Sequence, residues 1–516
     1  MRAYEHRSIG DAATGGATVN LGGESGDERF ELTYGDVVAL SGDFFRPDGP
    51  STPGVAGEQG SRASECSGRL FDLAMVAGEA GGRPASRDEI VGALKVAAVD
   101  EAVPDRRFEP GGRFAGFRFS AGADRSEVER RVRDRYLTLA ANNDDHFVAP
   151  GRSDSPTGSG FGSALEAYRR LHEAALDEAR RLGRRGGDIS RAMAREAAAQ
   201  HYLTDAFAAG HLRTPVADIR RYWKARYPAF WAHLQRKVAA DTATALRDLS
   251  AVMRLVPRRV LQRRTLSELT IRTCRYPELS VGDLVARVFH DWDNDRGLTV
   301  EGGGVVFGDG RIDDGATKKL ALAGVRAGLD DIEAAFALGS SGRRLRGQAL
   351  YRAVRRATGA NGDRFLAETA VPRLSPANPV QNWLAPDVET LWTSPVVGAT
   401  GTTVGEALVT MLEPDGQFIR QVEGLGQGLA GDHGVFALPV VGAWLSGKCC
   451  RAYHRGFVEP LAHDPRAVVW ALLEDGPRSP MMRGGAAAGP TRAPVPLART
   501  SGATATSASP VLGRSC

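Results

Sequence analysis

Residues 188–211 read DISRAMAREAAAQHYLTDAFAAGH. Asp188 or Ser190 is a suitable N-cap, and the alanine-rich run behind it favours helix and close packing against neighbours on several sides. Gly210 is the predicted C-terminal stop. Residues four apart share a helix face, so His201 and Asp205 should project side by side. A chain that folds back after Gly210 brings His211 towards the same point.

Imidazole nitrogen and carboxylate oxygen are ligands that zinc accepts, and the i, i+4 spacing lets one helix offer two of them to one ion. The plainer reading is a His–Asp hydrogen bond inside a core helix. The surrounding sequence favours the metal. The chain has ten histidines, and His6, His146, His201, His211 and His290 each stand near an acidic residue. His146 lies in NNDDHF (142–147), and His290 lies in FHDWDND (289–295) among Asp291, Asp293 and Asp295. YGDVVALSGDFF (34–45) supplies Asp36 and Asp43.

Around this helix the chain reads as mainly α. SALEAYRRLHEAALDEARRLGRR (163–185) carries helical periodicity and is stopped by two glycines. Further helices are predicted at 126–140, 217–254, 263–273, 281–293, 316–338 and 343–358. β signal is confined to fragments such as LTVEGGGVVFG (298–308). A chain of 516 residues exceeds one ordinary core. The predicted organisation is an N-terminal piece of the helical site domain at 1–48, an insertion at 49–125, the main site domain at 126–312, an additional helical region at 313–481 and a disordered tail at 482–516.

Composition narrows the function little. A net charge of +4 with 25% charged residues does not argue for nucleic acid. The five cysteines, two of them adjacent, do not look like a disulfide framework. No secretory signal or spanning apolar run is visible, which points to a cytoplasmic protein, with non-classical export open.

HYLTDAFAAGH (201–211) has the spacing H-x3-D-x5-H, with a tyrosine after the first histidine. In this it resembles the zinc-dependent phospholipase C and fungal single-strand-specific nuclease superfamily, an all-α multi-helix fold. DDHF around His146 resembles the phospholipase branch, and His6 and Asp43 stand where an early histidine and aspartate belong. The resemblance implies two zinc ions, and up to three. One ion would take Asp43, His146, His201 and an oxygen of Asp205; another would take His211 and a later histidine with a carboxylate. His290 is the best later histidine, ahead of His233. Its expected carboxylate, four residues on, is Asn294 here, so Asp293 or Asp291 must substitute. In secreted members an N-terminal tryptophan binds the third zinc, and this chain has no tryptophan before Trp223.

Such a site implies hydrolysis of a phosphate ester, of a phospholipid or a nucleotide, by metal-activated water. Asp43 can orient or deprotonate that water, and Arg213 is placed to meet the phosphate. DDHF favours a phospholipase C-like phosphodiesterase over a single-strand nuclease, and a non-catalytic metal-binding scaffold is the competitor from another class. Tyr202, Phe207, Tyr222, Trp223 and Trp231 could stack on a base, although at helical spacing they read as core. FGDGRIDDG (307–315) fits no calcium-binding loop and reads as a turn.

Overall fold

The structure, a computed structural model, describes residues 1–20, 31–45, 87–100, 143–149, 162–273, 278–360, 362–381 and 447–473, with isolated positions between them that include Trp383 and Leu384. The predicted helix at 126–140 falls largely outside these residues, and the predicted tail at 482–516 falls wholly outside them.

The described residues are mainly helical and fall into two compact units, the first running from Met1 to Pro228 and resuming at Thr273, the second built on Ala229–Arg272 and the described residues 447–473. The first begins with α1 (Ala3–Thr14), a two-stranded antiparallel ribbon of β1 (Thr18–Asn20) and β2 (Glu31–Thr33), and α2 (Tyr34–Leu40). Thr33 caps α2 by accepting from the Asp36 N–H, and the Asp36 carboxylate accepts from the Thr33 N–H in return, so the N-terminal donors of this seven-residue helix are satisfied locally. After α3 (Arg87–Asp100) come α4 (Ala164–Arg185), α5 (Ser190–Asp205), the short α6 (Ala209–Arg213) and α7 (Val216–Arg226).

The central layer is α4 and α5 packed together and covered by α12 (Thr317–Ser340). Here apolar burial is joined by a buried polar contact: His172 of α4 lies between Glu196 of α5, at 2.7 Å, and Asp331 of α12, at 3.4 Å. All three are excluded from solvent. Tyr168 stacks on the imidazole and Phe365 meets its edge. Residues 317–340 therefore belong to the core that carries 188–205, and the predicted boundary at 312/313 does not separate units.

The helix of 188–205 ends earlier than the sequence suggests. α5 stops at Asp205, and Gly210 lies inside α6. A Cβ at residue 210 would sit 2.5 Å from the carbonyl oxygen of His290, so this glycine is required by the close approach of α11 (Val281–Arg296) and not by a helix stop. The Ser280–Asp283 capping box starts α11, and the LTVEGGGVVFG segment, marked in the sequence only as a fragment of β signal, pairs Leu298–Thr299 (β3) antiparallel with Val305–Val306 (β4). Gly347–Thr358 (α13) and Leu366–Ala370 (α14) complete this unit.

The second unit holds α8 (Phe230–Leu249), α9 (Ala251–Arg254) and α10 (Arg258–Thr273), with His454–Val458, α15 (Glu459–His463) and α16 (Pro465–Leu473). The span predicted as one helix at 217–254 is thus divided, first at Pro228. His233 lies in this unit, where its Nδ1 donates to the Leu472 carbonyl at 2.9 Å. Cys449 is a buried free thiol and Cys450 is disulfide-bonded.

Candidate metal centre

The site sits where the C-terminal turn of α5 meets α1, the end of α2, the 3-10 turn at Asp144–His146, α6 and α11. Asp205 is its centre. Its Oδ2 lies 2.8 Å from His146 Nδ1 and 3.5 Å from His201 Nε2, and its Oδ1 lies 3.4 Å from His6 Nε2 and 3.2 Å from His211 Nδ1. The amino nitrogen of Met1 is 2.8 Å from the same Oδ1. Every one of these residues is buried.

The histidines are oriented from behind. His201 Nδ1 donates to the Val38 carbonyl and His211 Nδ1 to the His146 carbonyl, each at 2.9 Å. The Thr204 hydroxyl gives its one proton to a carbonyl of its own helix, so it accepts from His6 Nδ1 at 2.7 Å. His290 Nδ1 is 2.8 Å from the Asp291 carboxylate. A carbonyl or carboxylate can only accept, so these partners set the tautomer and leave Nε2 with its lone pair facing inward, the arrangement typical of metal-ligating histidines.

Three groups of donor atoms result, each with all its atoms within 4.8 Å of one another: His6, His201 and Asp205; Asp43, His146 and His201; and His211, His290 and Asp309. The donor set fits a divalent cation. His6 Nε2 is buried without a hydrogen bond and faces a carboxylate oxygen, so two electron-rich atoms oppose each other with no donor between them. Gly42, at φ +78°, lets the chain pass beneath the cluster, because a Cβ there would sit 2.3 Å from the His201 ring.

The electrostatics match. Burial lowers the pKa of His201 well below the usual imidazole value, with His6 acting in the same direction. Burial and the Met1 amino group do the same to His211. Both rings are therefore neutral, the form in which an imidazole can accept a cation. For His146 burial is outweighed by the hydrogen bond and charge of Asp205, which raise its pKa to about 9. The Met1 amino group is raised to about 11, because Asp205 and Asp309 outweigh its burial. Asp205 itself is held well below the carboxylate range by that amino group and by the hydrogen bond from His146, against the effect of burial. Burial raises Asp43, with His146 drawing it partly back.

Of the residues singled out in the sequence, His6, Asp43, His146, His201, Asp205, His211 and His290 come together in these groups. Asp293 does not. It is buried against Arg213, whose Nε donates to its Oδ2 at 2.8 Å, and against the Gln381 amide at 2.7 Å. Its carboxylate oxygens are thus both taken by side chains outside the donor groups. The same pair bears on the expectation for Arg213: its guanidinium is engaged by Asp293 and by the Pro379 carbonyl. Asp291 supports His290 from behind.

The carboxylate beside His290 is Asp309, whose Oδ2 lies 3.5 Å from His290 Nε2. It comes from FGDGRIDDG, which local spacing marks only as a turn. An aspartate between two glycines was the available signal, and nothing in the sequence says what that turn approaches. Tyr202, Phe207 and Trp223 are fully buried and belong to the core.

The chain matches no family model, no curated protein and no solved structure. Among the described residues no helix is long and apolar enough to cross a membrane.

Proposed function

We propose that this protein is a zinc-dependent hydrolase of phosphate esters, acting on phosphodiesters in the manner of a phospholipase C. One observation carries the reading: imidazoles and carboxylates from six separate stretches of the chain converge, and His6, His201, His211 and His290 each have Nδ1 tied back by a hydrogen-bond partner. A binding scaffold needs one closed set of four ligands, whereas this cluster offers more donors than one ion can use.

His201 belongs to two of the groups, and one imidazole nitrogen serves one ion, so the smallest consistent loading is one ion on the His201 side and one on the His211 side. Bound divalent cations would supply Lewis acidity, acidifying a water and drawing charge from phosphoryl oxygens. Asp205 would hold the two sides in register, since both its oxygens face donors. Asp43, whose pKa is raised by burial, is the carboxylate suited to take a proton from an attacking water. The side formed by His290 and Asp309 is the more open, with side chains 16% and 27% exposed, against 0% and 1% for His6 and Asp205. Substrate would enter there.

Metal analysis together with turnover of a chromogenic phosphodiester tests this. Two or more zinc ions per chain, with hydrolysis abolished in His201→Ala, is the expected result. One firmly held ion with no turnover of phosphocholine esters or single-stranded DNA would support the scaffold instead, and turnover of the DNA alone would support the nuclease reading.

A further inference from the structure

We propose that Asp309 is the carboxylate ligand of the outer, His211–His290 ion and that occupancy of this site fastens the loop after β4 to the N-terminal helix. The inference rests on the metal reading above.

Three observations carry it. First, the position one turn beyond His290, where a ligand on the same helix would stand, is closed: the Asn294 Oδ1 accepts from the Gly210 N–H at 2.7 Å, which turns its Nδ2 towards His290 Nε2 at 3.0 Å. That side chain therefore offers a donor, not a lone pair, and competes with any ion for the imidazole.

Second, the loop is built to deliver Asp309. Among the described residues Asp309, at φ +34°, is the non-glycine residue with positive φ, a conformation that costs energy and that persists where surrounding structure imposes it. Gly308 permits the approach, since a Cβ there would lie 2.0 Å from Asn294 Oδ1. Asp309 Oδ1 is shielded from water and makes no hydrogen bond, and the amino nitrogen of Met1 approaches it at 3.3 Å.

Third, the loop is tied to α1 by one side chain. Glu5 Oε1 accepts from the N–H of Gly310 at 2.8 Å and of Ile312 at 3.3 Å, while its Oε2 accepts from the Arg2 N–H at 2.9 Å. Strain at residue 309 pulls against these bonds, and an ion held by His211, His290 and Asp309 opposes it. The outer ion is accordingly the first to leave on chelation.

The full chain is stripped of metal and titrated with zinc, reading metal content and hydrogen exchange of residues 303–316. Zinc should slow exchange at Gly310 and Ile312. Asp309→Asn and Asp309→Gly should each lower the stoichiometry by one ion and abolish that protection, while Asp309→Gly raises the melting temperature of the metal-free protein by relieving the left-handed backbone. Asn294→Asp added to Asp309→Asn should restore the ion but not the loop protection. Unchanged stoichiometry in both Asp309 variants, or exchange indifferent to zinc, overturns the inference while leaving the metal reading intact; absence of any bound zinc overturns both.

Discussion

Arg220 forms an ion pair with Asp144, two residues before His146, and its Nε also donates to Asp283 at 2.7 Å, in the first turn of the helix that carries His290. One guanidinium thus holds together the segments that carry His146 and His290, far apart in sequence. Arg220→Ala should weaken zinc binding about 10- to 100-fold, the range seen when groups behind metal ligands are lost. Competition against a chromophoric chelator measures this. Arg220→Lys, which can satisfy one carboxylate but not both in a fork, should fall between.

Gly42 offers a second test, because its φ of +78° and the 2.3 Å approach of the His201 ring leave no place for a methyl group. Gly42→Ala should cost about 1–2 kcal/mol in backbone strain alone and displace His201. Thermal melting and metal analysis should fall together. A variant that loses stability but keeps its zinc would show that His201 does not ligate.

Asp205→Asn removes the charge that faces four histidines and the Met1 amino group. It should abolish binding on the His201 side and, with it, the stabilisation by zinc. For the native chain that stabilisation should reach about 2.7 kcal/mol when free zinc is a hundredfold above its dissociation constant. Melting curves with and without chelator compare the two.

Proton competition follows from His146. In the metal-free protein its pKa is about 9, so at pH 7 it is protonated, and a ligand must lose that proton to bind. Apparent zinc affinity should therefore rise from pH 7 to about 9, by about tenfold per unit for each proton released. Calorimetry in buffers of different ionisation enthalpy counts the protons, and a count of zero would remove His146 from the ligand set.

His172 predicts a pH dependence of the fold itself. Burial opposes its charge, but Glu196 and Asp331 outweigh this and raise it from 6.5 to about 10. A raised pKa stabilises the folded state fully below the unfolded value and loses its contribution as pH rises through the folded one. Metal-free protein should therefore lose stability between about pH 6.5 and 10. His172→Ala, which leaves two buried carboxylates without their cation, should cost about 3–5 kcal/mol and flatten that slope.

The helical class was legible because periodicity, caps and glycine stops are local. The helix at 316–338 and that at 281–293 are found at Thr317–Ser340 and Val281–Arg296. Gly210 misled for the opposite reason: a glycine demanded by a neighbour's carbonyl looks, in sequence, like one that ends a helix.

By itself the sequence determined which residues bear donor chemistry and that a helix presents His201 with Asp205, since side-chain type and the period of a helix need no distant contact. Only the tertiary structure decided which carboxylate stands beside His290, that Arg213 is taken by Asp293, and that His172 is a charged core residue. Each of these depends on which segments a packed core brings within a few ångströms, and the packing of α12 on α4 and α5 and of α11 on α6 fixes those approaches through surfaces that no local pattern encodes.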